Sequence, residues 1–216
     1  MKASENQKTQ KPLPTERQHL ALCVAIVDLG TQQGFFNGAP TSSRKIVLTF
    51  EIPGEKAVFK AENGAQPFTV SAEYTFSLDS KANFRKAMDS WIGQPVTELD
   101  SEKLTKLLKK PAMIQVVHNT AKDGIKYANI ANKGVSIFKR PADVAFPKET
   151  HNTPVFFDLD NFSWESFDLA PKWLQDKISK SPEFIKASTA KPRAGAAPQT
   201  SGAIADNTGF DDEDPF

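Results

Sequence analysis

Regular alternation of apolar and polar residues constrains the fold of this chain more than any other sequence feature. Every second residue is apolar between residues 44 and 52, and again between residues 68 and 76. This period is typical of β-strands that place one face on a core. The earlier segment Leu20–Val27 is apolar or small on both faces, which predicts a strand buried on both sides. The first third of the chain is therefore expected to form a three-stranded sheet.

The period changes after the third predicted strand. Ser80 is a plausible N-cap for a helix that carries an apolar stripe and ends at Trp91, before Gly93. A shorter helix is predicted over Ser101–Lys109. The next segments read as strand Ala112–His118, a turn at Lys122-Asp-Gly124, strand Ile125–Ala131 and a short extension, Gly134–Phe138.

Three strands, a helical insertion and a hairpin follow one another in the order found in an OB-fold. That fold is a five-stranded Greek-key barrel with a helix between strands three and four. The strand pattern by itself also fits another all-β barrel or a sandwich. We therefore predict a mainly β chain with an OB-like domain over residues 19–149.

The remaining segments differ sharply in composition. Residues 1–18 are polar and predict a flexible arm, whereas residues 150–186 are rich in aromatic residues and predict an extension packed on the core or on a neighbouring protomer. An extended stretch and a short helix after Pro171 are expected in this extension. Residues 187–208 consist largely of Ala, Pro, Thr, Ser and Gly, which predicts a disordered tether. Residues 209–216 form an acidic tip.

Charge is distributed unevenly along the chain. The net charge is +1, and the four consecutive acids at 211–214 carry −4, so the remaining residues carry +5. A basic body with an acidic tail is typical of a protein that meets polyanions and regulates that contact. Cys23 is the single cysteine and lies in an apolar run, which excludes a disulfide framework and favours an inert buried thiol in the cytoplasm.

An OB-fold binds single strands with cations that follow phosphates and with rings that stack on bases. Phe35 and Phe36 lie in a segment, residues 28–43, that predicts a loop; one ring can stack on a base while the other plugs the barrel. Taken one by one, the basic candidates belong by default to a solvated face, and only their clustering in one half of a barrel favours binding. The further candidates cluster near the predicted strands two and five: Arg44, Lys45, Lys122, Lys126, Tyr127, Lys139 and Arg140. Tyr74, Phe76 and Trp91 are expected in the core.

Catalytic patterns are absent from the sequence. The three histidines have no metal-ligand spacing, and no phosphate-binding loop or activated nucleophile is recognisable. Asp158, Asp160 and Glu165 could form a nuclease metal site, although alternating acids more simply mark a solvated strand edge. We expect no enzymatic activity, no cofactor and no metal.

The C-terminal tip, Asp211, Asp212, Glu213, Asp214, Pro215 and Phe216, resembles the acidic tip of bacterial single-stranded DNA-binding proteins. Asp214 stands where the bacterial tip usually has an aliphatic residue. The whole arrangement resembles phage-encoded single-stranded DNA-binding proteins. That resemblance implies a body that coats single-stranded DNA in replication, recombination or repair, and a tip that recruits polymerase, helicase, primase or nuclease partners. A homo-oligomer is compatible with it. The alternatives are a protein-interaction adaptor and a strand-annealing recombination mediator.

Overall fold

The computed structural model describes residues 10–36, 38–122 and 124–193, and this part of the chain is mainly β-structure. The strands are β1 (Gln18–Phe36), β2 (Ala39–Val58), β3 (Ala65–Thr75), β4 (Pro111–Thr120), β5 (Lys126–Ile130), β6 (Ile137–Lys139) and β7 (Val155–Phe157). The helices are α1 (Asn83–Ile92), α2 (Ser101–Thr105), α3 (Trp164–Leu169), α4 (Lys172–Ile178) and α5 (Pro182–Ala190). None of the helices in these residues is long and apolar enough to cross a membrane.

The seven strands form one sheet in which the main path runs β3-β2-β1-β4-β5. All neighbouring strands on this path are antiparallel, and β6 adds to β4 in the same manner. β7 pairs with β1 in parallel. The predicted mainly β class is confirmed, and so are the helices between the third and fourth strands.

The first two strands are much longer than the sequence predicts. The segment expected to be a loop, residues 28–43, continues the β1–β2 ladder as far as the pair Phe36 and Ala39. The prediction of a loop is therefore wrong. Residues 31–35 and 38–43, where the ladder pairs Gln32 with Ser43 and Gln33 with Ser42, include no buried residue. Without a core beneath the hairpin, the apolar alternation that identifies a strand does not arise.

Two apolar cores lie on opposite faces of β1. Ile26 belongs to the core that α1 covers, where the buried Trp91 ring meets Phe50 edge-on at 5.2 Å and donates its indole N–H to the Pro111 carbonyl at 3.0 Å. Val27 belongs to the second core, beneath β7 and the C-terminal helices. The expected burial of β1 on both faces and of Trp91 is thus confirmed.

The C-terminal segment covers the outer face of β1. The expected extended stretch is β7, and the expected helix, α4, begins directly after Pro171. Five aromatic rings interlock edge-on or tilted in this layer: Phe157, Phe162, Trp164, Phe167 and Phe184. α5 extends to Ala190, so the first residues that the sequence assigns to the tether are helical. Ala187 packs against the core there, which a small side chain allows.

Candidate nucleic-acid interface

A groove of about 610 Å³ lies between the outer edges of β3 and β5. One wall comes from Phe59, in the turn after β2, and from Phe68 in β3; β5 contributes Lys126 and Tyr127. The N-terminal segment 10–14 forms the other wall. We call this feature the β3–β5 groove. It exists because β3 and β5 are the end strands of the main sheet path and approach each other without forming a ladder.

Two aromatic rings of the groove are open to solvent. Tyr127 is 49% exposed and Phe59 is 42% exposed, values that are high for such large apolar groups. Phe59 packs edge-on against the buried Phe68, with ring centroids 5.3 Å apart and an interplanar angle of 88°. This contact with Phe68 holds the Phe59 ring in place, and 42% of Phe59 remains accessible to solvent. Exposed rings held in this way can stack on planar ligands.

The groove carries positive charge only. Lys11 and Lys126 line it, and no Asp or Glu does. Within residues 10–36, 38–122 and 124–193, the ammonium groups of Lys11, Lys126 and the neighbouring Lys60 form no ion pair. Rings interleaved with unpaired cations match the chemistry of a single nucleic-acid strand, whose bases stack and whose phosphates are anionic.

The N-terminal wall is fastened to the sheet at both ends. At one end, the Gln10 side chain accepts from the Lys126 backbone N–H at 2.9 Å and donates to the Lys126 carbonyl at 3.0 Å. At the other end, Glu55 accepts hydrogen bonds from the Thr15 backbone and from the Arg17 guanidinium. Residues 10–17, which the sequence assigns to a flexible arm, are thus hydrogen-bonded to the body; residues 1–9 lie outside the described part.

The Glu55 carboxylate is held in its charged form. Partial burial raises the pKa of this group, but the hydrogen bonds from Thr15 and Arg17 outweigh the burial and lower the pKa to about 2. His118 adds a second anchor, because its imidazole bonds the Pro14 carbonyl at 2.8 Å. The base of the N-terminal wall is therefore fixed more firmly than its tip at Gln10.

The structure brings only some of the predicted DNA-binding residues together. Lys126 and Tyr127 line the β3–β5 groove, and Lys122 is exposed in the turn just before β5. Phe35 is 81% exposed at the tip of the β1–β2 hairpin, at the opposite end of β2 from Phe59. Phe36 ends β1, and its side chain lies outside the described part of the structure, as does the whole tip 209–216.

Arg44 lies in an acidic cluster away from the groove. Its guanidinium contacts Asp28 at 2.5 Å and Asp160 at 3.0 Å, with Asp158 at 4.0 Å. The hydrogen bonds that the Arg44 guanidinium donates to the Asp28 carboxylate are the main reason that the pKa of Arg44 is raised. These side chains form one end of a cavity of about 220 Å³ whose other residues are largely apolar. An arginine that already neutralises several carboxylates has little attraction left for phosphate.

The remaining candidates also have contacts within the protein. Lys45 donates to the Thr75 hydroxyl at 3.1 Å. The aliphatic part of Lys139 packs over Gly93 at the end of α1. Arg140 donates to the carbonyls of Pro141, Ala142 and Val144 and lies over the Phe146 ring, 4.8 Å from its centre. Arg140 therefore organises the loop after β6.

Sequence reasoning missed three residues that build the groove: Lys11, Phe59 and Phe68 in its role as a support. Phe59 and Lys60 lie in a polar turn after β2. An aromatic residue beside a lysine in such a turn is the sequence signal that could have identified Phe59 as a binding residue. Lys11 carried no such signal, because only the tertiary structure places the N-terminal segment beside β5.

The single cysteine and the acidic side chains do not form a catalytic or metal-binding group in the described ranges. Burial raises the pKa of the Cys23 thiol, which disfavours a nucleophilic thiolate. No group of three or more His, Cys, Asp or Glu side chains among these residues is arranged to hold a metal ion. Asp158 is not at a solvated strand edge as the sequence suggested; it accepts from Ser101 at 2.5 Å and from Asn161 at 2.8 Å.

Comparison with known proteins gives no guide to this site, since no family model, no curated protein and no solved structure matches the chain.

Proposed function

We propose that this protein binds single-stranded DNA in the β3–β5 groove. The observation that carries the proposal is the combination, in one groove, of the exposed rings of Tyr127 and Phe59 with Lys11 and Lys126 and with no carboxylate. Bases would stack on the two rings, and phosphates would follow the lysines. The groove is walled on both sides. A single strand, whose bases are free to stack on the two rings, suits it better than a duplex, whose bases are already stacked on one another.

The topology supports an OB-type barrel as the scaffold. The path β3-β2-β1-β4-β5 has β3 and β5 as its ends, and closure of a barrel requires these two strands to meet. They do approach each other, and the helical insertion between β3 and β4 is in the position that this fold requires. The groove then lies along the seam of a partly open barrel.

We extend the proposal to the biological role that the resemblance to phage-encoded single-stranded DNA-binding proteins implies. The body would protect single-stranded DNA during phage replication, recombination or repair in the cytoplasm of the host. The acidic tip at 209–216 would recruit replication proteins, and its charge would let it compete with DNA for the groove.

Fluorescence anisotropy with labelled single-stranded and duplex DNA of one sequence tests the proposal. We expect the single strand to bind more tightly. Tyr127→Ala and Phe59→Ala should each weaken its binding by about fivefold to 150-fold, the range expected for one stacked base. Trp173→Ala is the matched control, because Trp173 is 48% exposed on α4, outside the groove. Equal loss in all three variants, or a preference for duplex, would refute the assignment.

A protein-interaction adaptor is the second candidate function. It is favoured by apolar side chains on the C-terminal helices that remain accessible: Leu169 at 57%, Trp173 at 48% and Ile185 at 57% exposure. The adaptor requires no DNA affinity, so the absence of binding to either form of DNA would select it. An annealing assay would then separate a simple DNA binder from a strand-annealing mediator.

A further inference from the structure

The edge of β5 that faces the groove presents a backbone donor and acceptor side by side. Lys126 lies opposite Thr120 in the β4–β5 ladder. The backbone N–H and C=O of Lys126 are not bonded to β4; both are bonded to the Gln10 side chain, on the opposite edge of β5. The two main-chain groups therefore point into the groove, away from β4. Tyr127, the next residue, supplies one of the exposed rings.

The Gln10 side chain holds this position as a substitute for a peptide group. Its amide oxygen accepts from one backbone group and its amide nitrogen donates to the other. The rest of the N-terminal wall cannot form a regular ladder here, because Pro12 and Pro14 have no N–H to donate. A single exposed side chain thus occupies a pair of hydrogen-bonding groups on the β5 side of the groove.

A nucleobase offers the same arrangement of groups. On its Watson–Crick edge, each of the four bases of DNA has an N–H donor beside a ring nitrogen or carbonyl acceptor, spaced much as in a carboxamide. A base that stacks on the neighbouring Tyr127 ring could turn this edge toward Lys126. Because every base provides such a pair, this contact would add affinity without selecting a sequence.

We infer that the main chain of Lys126 is a base-binding position and that Gln10 occupies it until DNA displaces it. This inference rests on the proposed function. The exchange replaces two exposed neutral hydrogen bonds with two equivalent ones to the base, so Gln10 acts as an intramolecular competitor. The firm attachment of Thr15 to Glu55 keeps the segment near the groove while Gln10 is released.

Gln10→Ala tests the inference with a fluorescent oligothymidylate and an abasic oligonucleotide of equal length. Without the competing side chain, we expect the oligothymidylate to bind roughly threefold to tenfold more tightly and the abasic strand to bind as before. Gln33→Ala is the control, since the Gln33 side chain is also exposed and donates to the Ser42 hydroxyl in the β1–β2 hairpin, outside the groove. Unchanged or weaker binding by Gln10→Ala, or an equal gain on the abasic strand, would overturn the inference.

Amide hydrogen exchange at Lys126 provides a second readout. We expect the Lys126 N–H to lose protection in Gln10→Ala and to regain it when oligothymidylate binds; an N–H that stays unprotected in the complex would contradict base binding. The two proposals fail differently. A wild-type protein that binds no oligonucleotide refutes the proposed function and this inference with it. A protein that binds DNA equally with and without Gln10 refutes this inference alone.

Discussion

Thr15 is tied to Glu55 by two hydrogen bonds, one from its backbone N–H at 2.9 Å and one from its hydroxyl at 2.5 Å. Through this pair, a segment that reads as a polar arm becomes a wall of the β3–β5 groove. Arg17 adds a third bond to the same carboxylate at 2.7 Å. The position of the N-terminal segment therefore depends on the charge of Glu55.

Protonation of Glu55 should loosen this wall. The pKa of the carboxyl is lowered from 4.5 to about 2 in the folded protein, so its contribution to stability is present above pH 4.5 and is lost as the pH falls toward 2. We expect Glu55→Gln to lower the melting temperature at pH 7 and to have a smaller effect near pH 2. Thermal unfolding across this range checks the prediction, with Glu62→Gln as an exposed control. A constant difference in melting temperature at all pH values would contradict it.

Lys126 should contribute to the salt dependence of DNA binding. If its ammonium contacts one phosphate, Lys126→Ala should reduce the slope of log K against log salt concentration by about 0.7. Affinity titrations at several salt concentrations measure that slope. Lys180→Ala provides the control, because Lys180 is exposed two residues after α4. A slope unchanged in Lys126→Ala would remove Lys126 from the interface.

Arg44 should matter for folding and not for DNA binding. Its loss would leave Asp28 and Asp158, both only 11% exposed, without their cation. We expect Arg44→Ala to reduce the free energy of unfolding by about 2 to 4 kcal/mol, measured by urea denaturation. Affinity for single-stranded DNA, measured where the variant is folded, should stay within twofold of the wild-type value. A well-folded Arg44→Ala that no longer binds DNA would instead place Arg44 in the interface.

Gly30 should tolerate no side chain. Its φ is +68°, and a Cβ there would lie 2.6 Å from the Ser181 side chain and 2.8 Å from a Glu183 oxygen. We expect Gly30→Ala to destabilise the protein by about 2 to 4 kcal/mol, from backbone strain together with the clash against α5. Gly64→Ala separates the two causes, because Gly64 has φ +65° and no atom within 4 Å of a Cβ. Equal losses in both variants would show that the contact with α5 contributes nothing.

Removal of residues 209–216 should increase affinity for single-stranded DNA and steepen its dependence on salt. The physical reason is that the four acids of the tip would no longer compete with phosphates for the lysines of the groove. Titration of the full-length and shortened proteins with one oligonucleotide at low salt checks this. Identical affinities of the full-length and shortened proteins would refute competition by the tip.

Phe216→Ala should leave DNA affinity intact while abolishing partner recruitment. Pull-down of replication partners measures this effect, and recruitment that survives the exchange would refute the anchoring role of Phe216.

Strands with a core on one or both faces could be predicted from the sequence. The alternation around Phe50 and Val70 and the apolar run around Cys23 predict β2, β3 and the buried half of β1, since burial leaves a period in the sequence. The stripe of α1 is equally local, and it placed Trp91 in the core. Residues 31–43 left no such trace, because their hairpin covers no core.

The cations that are available to a ligand could not be identified without the fold. Arg44 and Lys126 are both basic residues at strand positions, and nothing local distinguishes them. The fold places Arg44 beside Asp28, Asp158 and Asp160, two of which follow it by more than a hundred residues, and leaves Lys126 in a groove without acids. Periodicity is a property of neighbours along the chain, whereas the electrostatic environment of a side chain is set by residues that folding brings together from distant positions.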